Sequence, residues 1–285
     1  MRAALKIAYD GRDFHGFARQ PDAPTVEGEV RFVLAKTGMI QDPETGHVRG
    51  ASRTDAGVSA IGNVVAFDTE MPLDEIAGRF NDAAKGVWAW AVADLPPGFD
   101  PRRARTRWYR YALMGNHDIV RLRDTAKVFA GTHDFAAFAS PDAERTRRHI
   151  DAIHVSFEDE EVLLDVRAPS FLRGMVRRIV SALLAVERGD ATAAILSDSL
   201  AAGTGPDLGL APPEPLVLMD VDLGFPFRPS VDRATREVIE RRSVEARVSA
   251  RFWREAEARV RPRVKAAVPV ETQVVESSGR ARGKR

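Results

Sequence analysis

Between residues 3 and 9 the apolar and polar positions alternate. Leu5, Ile7 and Tyr9 point one way and Ala4, Lys6 and Ala8 the other, which predicts a half-buried strand. Residues 10–24, rich in Gly, Pro and aromatics, predict a loop. Thr25 can then cap a helix with Glu27 in its first turn, because Val26, Val30, Val33, Leu34 and Thr37 follow helical spacing. Residues 47–49 and 63–67 are strand-like. Leu73, Ile76, Phe80, Ala84 and Val87 mark a second helix, opened by Pro72, and Leu95-Pro96-Pro97-Gly98 predicts a linker.

A second set of elements follows. Residues 107–113 read as a strand with Arg107, Tyr109, Tyr111 and Leu113 on one face. Thr132 is expected to cap a short helix, and residues 150–157 and 162–168 to pair as strands. Ser170 is expected to cap a helix with Leu172, Met175, Val176, Ile179, Val180, Leu183 and Leu184 on one stripe. Residues 217–223 form a last strand. The pattern therefore predicts two α+β halves, residues 1–100 and 101–227, with no short-period internal repeat. The tail, residues 228–285, is helix-like from Ser230 to about Arg261 and expected to be disordered from about Ser277.

With 285 residues and 44% hydrophobic positions, the chain can fill the cores of about two domains. It has no cysteine, which removes disulfides and thiolate metal sites and fits a reducing compartment. Its longest apolar runs, such as residues 87–93, fall short of the roughly 20 residues of a membrane span. Met1-Arg2 leads straight into the first strand pattern, so no signal peptide is expected, and a soluble cytoplasmic protein is. The net charge of +1 hides an asymmetry: residues 228–285 carry 16 Lys+Arg against 8 Asp+Glu, a net of +8, whereas residues 1–227 carry 26 against 33, a net of −7. A basic tail on an acidic body suggests an anionic partner, although a solvated helical tail has the same composition.

Several chemistries are excluded. There is no G-x-x-x-x-G-K-[ST], no G-x-S-x-G and no H-E-x-x-H, so phosphate-loop, serine-hydrolase and zinc-protease sites are ruled out. Gly203-Thr204-Gly205 with Gly209 follows a helical segment rather than a strand and reads as a helix stop, not a dinucleotide loop. No metal site is expected.

The informative stretch is Ser52-Arg53-Thr54-Asp55-Ala56-Gly57-Val58, between two strand-like runs. A carboxylate on a short loop between strands is held by the scaffold and exposed by the loop. Taken alone, Asp before Ala-Gly is most often a turn or a cap. Other segments change that weighting. In chain order they are Tyr9-Asp10-Gly11, Phe14-His15-Gly16-Phe17, Gln20-Pro21, Thr25-Val26-Glu27-Gly28, Arg107-Trp108-Tyr109-Arg110-Tyr111, Gly131-Thr132-His133-Asp134-Phe135, Phe171-Leu172-Arg173-Gly174-Met175-Val176-Arg177 and Ala211-Pro212-Pro213. Together with the Asp55 loop they resemble the TruA family of tRNA pseudouridine synthases, over residues 1 to about 223.

The resemblance implies an α+β fold of two α/β sandwich-like halves (ferredoxin/RRM-like) whose antiparallel sheets join around a central active-site cleft. It implies a homodimer that uses no cofactor, nucleotide or metal and converts uridine to pseudouridine in the anticodon stem-loop of tRNA, at positions 38 to 40. Asp55 corresponds to the family's essential aspartate. Tyr109 corresponds to its active-site tyrosine, able to stack on an extruded base, with Tyr111 assigned to structure. Arg177 corresponds to the arginine that pairs with the aspartate; at about 100° per residue it projects roughly 130° from the centre of its helix's apolar stripe, beside Arg173. Arg53, two residues before Asp55, would fill the space of the flipped base and touch phosphate, and His15 lies on a loop that could touch RNA. His133, Asp134 and Arg148 match the family pattern without a defined role.

The chain departs from the common bacterial form at Ser52, where that form has Gly, and at Ser59, where it has His. This variant is associated with archaeal and eukaryotic relatives. Ala18 and Glu214-Pro215 also depart. The departures leave the target open: a pseudouridine synthase acting on another RNA, or a non-catalytic RNA-binding protein, are the alternatives. The tail beyond about residue 226 has no counterpart in the family. Deleting residues 229–285 is expected to raise the apparent KM for RNA and flatten its salt dependence, because cationic side chains release counterions on binding. A truncated protein with both quantities unchanged would assign the tail another job, such as dimer packing.

Overall fold

The computed structural model describes residues 1–42, 46–159 and 161–260. Its N-terminal half runs β1 (Arg2–Tyr9), α1 (Val26–Lys36), β2 (Arg49–Gly50), β3 (Ser59–Asp68), α2 (Leu73–Ala83) and β4 (Val87–Leu95). The second half runs β5 (Thr106–Leu113), α3 (Ile119–Ala126), β6 (Gly131–Asp134), β7 (Arg147–Ile150), β8 (Ala152–Glu158), β9 (Glu161–Ala168), α4 (Met175–Arg188), α5 (Ala193–Ala202) and β10 (Leu216–Asp222). A short strand β11 (Arg228–Pro229) and a long helix α6 (Arg233–Val260) complete the described chain. Contacts divide it into one compact unit, Met1–Arg236, and a second, Glu237–Arg285, in which α6 continues as an exposed helix. No described helix is long and apolar enough to cross a membrane.

The two halves form a single sheet in the order β11-β4-β1-β3-β10-β5-β9-β8, with β2 on β3. Every pairing is antiparallel except the seam, where β10 runs parallel to β3 through Val217↔Ser59 and Leu218↔Ala60. Thr25 caps α1 by accepting from the Gly28 N–H, and Val26, Val30, Val33 and Leu34 are buried as their spacing requires. The stripe of α4 buries Met175, Val176, Ile179, Val180 and Leu183. In β5 burial alternates strictly, so Arg107, Tyr109, Tyr111 and Leu113 share the inner face.

Local pattern failed at four places. Val87, expected to end the second helix, opens β4, while α2 stops at Ala83. Strand β4 is a nearly continuous apolar run paired on both edges, and such a run looks alike as helix or central strand. Thr132, expected to cap a helix, lies in β6, which pairs with β7 in a separate two-stranded sheet. Ser170 does not cap α4: the helix starts at Met175, after Gly174 turns the chain at φ +72°. Helix α3, capped by Asp118, has no counterpart in the pattern reading. The disorder expected from Ser277 onward lies outside the described residues.

The approach of the first loop to the Asp55 loop depends on Gly11. A Cβ there would sit 2.3 Å from the carbonyl carbon of Val58 and 2.6 Å from that of Gly57. Both are backbone atoms and neither can rotate away. Gly11→Ala is therefore expected to lower stability by about 1–3 kcal/mol, read as a drop in Tm on thermal unfolding. An unchanged Tm would show that the two loops are not in register as described.

Candidate active site

Asp55 sits on the turn between β2 and β3, and the turn is tied down on every side. Ala51 N–H donates to Val64 O at 2.8 Å and Phe17 N–H to Thr54 O at 3.0 Å. The hydroxyls of Tyr9 and Thr54 lie 2.9 Å apart. Asn63, fully buried, donates to Ser52 O at 2.9 Å and to Tyr9 Oη at 3.2 Å. Gly16, at φ +95°, lets the His15–Phe17 loop lie against Thr54 and Ala56. Buried polar groups satisfied in this way hold the loop in one conformation.

Across the seam, Arg177 in the first turn of α4 donates from Nη1 to Asp55 Oδ2 at 3.0 Å. Its Nε donates to Ala211 O at 2.7 Å, so the Ala211-Pro212-Pro213 segment aims the guanidinium. The Arg177 side chain is 12% exposed and that of Asp55 32%, which leaves the carboxylate reachable while its partner is shielded. Arg177 thus stands on the side of α4 that faces the site, off the apolar stripe, as its helical position predicts.

The pair lies on the wall of a cavity of about 800 Å³ that both halves line. Tyr109 lines it from β5, with its ring edge-on to Phe171 at 5.1 Å. Tyr111 is buried and does not line it. Burial pushes the Tyr109 hydroxyl up to about 12; nearby Arg107, and then Ser52, pull it down, and Asp55 pushes it up. Arg53 and His15 are exposed and line the cavity from two loops packed against each other. Structure therefore brings Asp55, Tyr109, Arg177, Arg53 and His15 to one space. His133, Asp134 and Arg148 are elsewhere: the first two are in β6 and the third in the facing β7.

Charge inside the cavity opposes that of the body. Arg19, Arg53, Arg102, Arg107, Arg173 and Arg177 line it, and Asp55 is its one described acidic residue. The −7 of residues 1–227 is spread elsewhere, and the cleft itself suits a polyanion.

Sequence reasoning placed Arg107 on one face of β5 with Tyr109, Tyr111 and Leu113 and gave it no further part. It is a buried cation, 6% exposed, whose Nε donates to Ser52 Oγ at 2.8 Å and whose Nη2 donates to Ala51 O at 2.8 Å and Arg102 O at 3.0 Å. Nη1 donates to Pro169 O. Burial lowers its pKa. The residue stitches the Asp55 loop to the segment that leads into α4. Its signal in the sequence was a charged residue at an inward strand position.

A family model described as tRNA pseudouridine synthase matches residues 125–223, which include Arg177. A tRNA pseudouridine synthase A of Thermococcus sibiricus is 40% identical over 248 residues, covering 85% of this chain and 93% of the relative. Those of Methanococcoides burtonii and Pyrococcus furiosus are 41% and 38% identical over 263 and 260 residues, each covering 88% of this chain and 94% and 96% of the relative.

Replacing Arg107 with Met would leave the buried carbonyl of Ala51 and hydroxyl of Ser52 without their donor and remove the part-buried bonds to Arg102 and Pro169. Arg107→Met is expected to cost about 2–4 kcal/mol in chemical denaturation. A loss below about 0.5 kcal/mol would show that the stitch does not hold the loop.

Proposed function

We propose the target and the catalytic groups of this chain, which belongs to the tRNA pseudouridine synthase A family: it isomerises uridines in the anticodon stem-loop of tRNA, at positions 38 to 40, with Asp55 as the catalytic carboxylate acting on an extruded nucleotide. The observation that supports this most is the Asp55–Arg177 pair on the wall of an arginine-lined cavity.

The reaction breaks the C1′–N1 bond, turns the uracil, and joins C1′ to C5 as C5 gives up its proton and N1 takes one up. It is redox neutral, and a carboxylate suits it, by attacking C1′ or by taking a C2′ proton. A base inside a stacked stem must first be extruded. Arg53, exposed at the rim, fills the space left by the base and contacts phosphate. Tyr109 lies against the extruded uracil, and His15 contacts the RNA from the loop packed against the Asp55 loop. Arg177 holds Asp55 Oδ2, so Oδ1 is turned to the ribose. The exposed arginines Arg19, Arg102 and Arg173 take phosphates, the kind of contact through which RNA is read by shape. The cysteine-free composition and a tRNA substrate support a cytoplasmic enzyme, and the family resemblance supports a homodimer.

Unmodified tRNA transcripts with uridines in the anticodon stem-loop, incubated with wild-type protein and with Asp55→Asn, test the reading. Chemical labelling and primer extension should place pseudouridine at positions 38 to 40 with the wild type and give none with Asp55→Asn, a loss of at least ~10²-fold. Pseudouridine at other positions would overturn the target. Equal activity in Asp55→Asn would overturn the role of the carboxylate, and binding without modification by either protein would favour a different RNA or binding alone.

A further inference from the structure

Two of the exposed arginines that line the cavity, Arg102 and Arg173, are held in the same way by aspartates that do not line it. Arg102 Nε donates to both oxygens of Asp100, at 3.0 and 2.9 Å, and its Nη2 donates to Oδ2 at 2.6 Å. Arg173 Nη2 donates to Asp142 Oδ1 at 2.7 Å, while its Nε donates to Ser140 Oγ at 3.0 Å. The backbones are pinned as well. Arg102 N–H donates to Asp100 Oδ1 at 3.0 Å, and its carbonyl accepts from Arg107 Nη2 at 3.0 Å. The Arg173 carbonyl accepts from the Ser140 N–H at 3.0 Å. Both guanidiniums therefore commit the Nε–Nη2 edge to the protein. Each keeps the edge between Nη1 and Nη2, with three of its five N–H donors not taken up by the described residues.

We propose that Asp100 and Asp142 are positioning residues: each orders its arginine so that the free edge meets two oxygens of one RNA phosphate, a role that rests on the reading of this cavity as the tRNA site. A phosphate offers the oxygen pair that such a fork matches. An arginine ordered beforehand also loses less rotamer freedom on binding. Exposed ion pairs add little to the stability of a fold. The side chains of Arg173 and Asp142 are 65% and 67% exposed, so what their pairing supplies is orientation. Two effects oppose each other. The aspartate's charge repels the phosphate that its arginine awaits. The carboxylate, however, occupies a different edge of the guanidinium from the one left free, and salt screens exposed charges over about 8 Å. Loss of ordering therefore outweighs relief of repulsion. Arg53 makes the contrast. Among the described residues no hydrogen bond or ion pair holds its side chain, which suits a residue that moves in as the base moves out.

The test is a double-mutant cycle on the full-length protein: wild type, Asp142→Ala, Arg173→Ala and the two together, with Asp142→Asn as the conservative variant that keeps an acceptor oxygen. On tRNA transcripts, Asp142→Ala should raise KM for pseudouridine formation about three- to tenfold and leave kcat and Tm unchanged. Asp142→Asn should recover most of the loss. In the Arg173→Ala background, Asp142→Ala should change nothing further, because the arginine that it orders is gone. The Asp100–Arg102 pair should repeat the pattern, and a flat cycle there overturns the role of Asp100. A KM unchanged by Asp142→Ala, or lowered by it, overturns the proposal: the carboxylate would then be idle or would only oppose the RNA. An equal rise with and without Arg173, or a lowered Tm, would assign Asp142 to packing and overturn it too. Kd for the same transcripts separates the two failures. A wild type that binds them without making pseudouridine would sink the reaction, while the cycle read in Kd still decides what the aspartates do.

Discussion

The two halves of the sheet meet through one parallel contact of two residue pairs, β3 with β10, and the active site depends on that seam being held. So short a ladder has little strength of its own. Side chains reinforce it from both faces. Arg107 reaches from β5 to Ala51 and Ser52, Arg177 reaches from α4 to Asp55, and Lys6 on β1 pairs with Asp220 on β10. The bonds of Arg107 and Arg177 also place groups on the cavity wall, so closing the seam helps assemble the site.

The seam explains where charge sits. Burying a guanidinium is costly unless its donors are satisfied. Arg107 meets that condition with neutral carbonyls and a hydroxyl, and Arg177 with a carbonyl and Asp55. The Asp55 loop is thereby pinned by groups that leave its carboxylate as the one described acid in an arginine-lined space. On the acidic body of residues 1–227 a basic cleft draws a polyanion to the site, which overall composition does not reveal. The residues that hold the loop, Tyr9, Asn63 and Arg107, are polar and buried, and each is spoken for by named partners.

Much of the fold was legible because it follows from periodicity. The alternation in β1 and β5, the cap at Thr25 and the stripe of α4 each depend on neighbours in the chain. Reading failed where distant contacts decide. Val87 belongs to a strand because β1 lies beside it, and Thr132 to a strand because β7 does. The site divides in the same way. Asp55, Tyr109, Arg177, Arg53 and His15 were recognisable as members of ordered motifs, and Tyr109 was separable from Tyr111 only by motif order. Ser52 appeared as a departure from the common pattern, and Arg107 as an inward charge; neither could be given a partner from the chain alone.

Sequence by itself determined most of the elements, which rest on residue type and on spacing within a few turns or strands, and through the order of its motifs, which resembles one family, the class of chemistry and the candidate groups. Tertiary structure decided that Arg177, 122 residues along the chain, holds Asp55 at 3.0 Å, that six arginines converge on one cavity, and that Arg107 ties Ser52 and Ala51 of the Asp55 loop to β5. Hydrogen bonds and ion pairs act over a few ångströms of space, and separation along the chain carries no information about that distance until the sheet has closed.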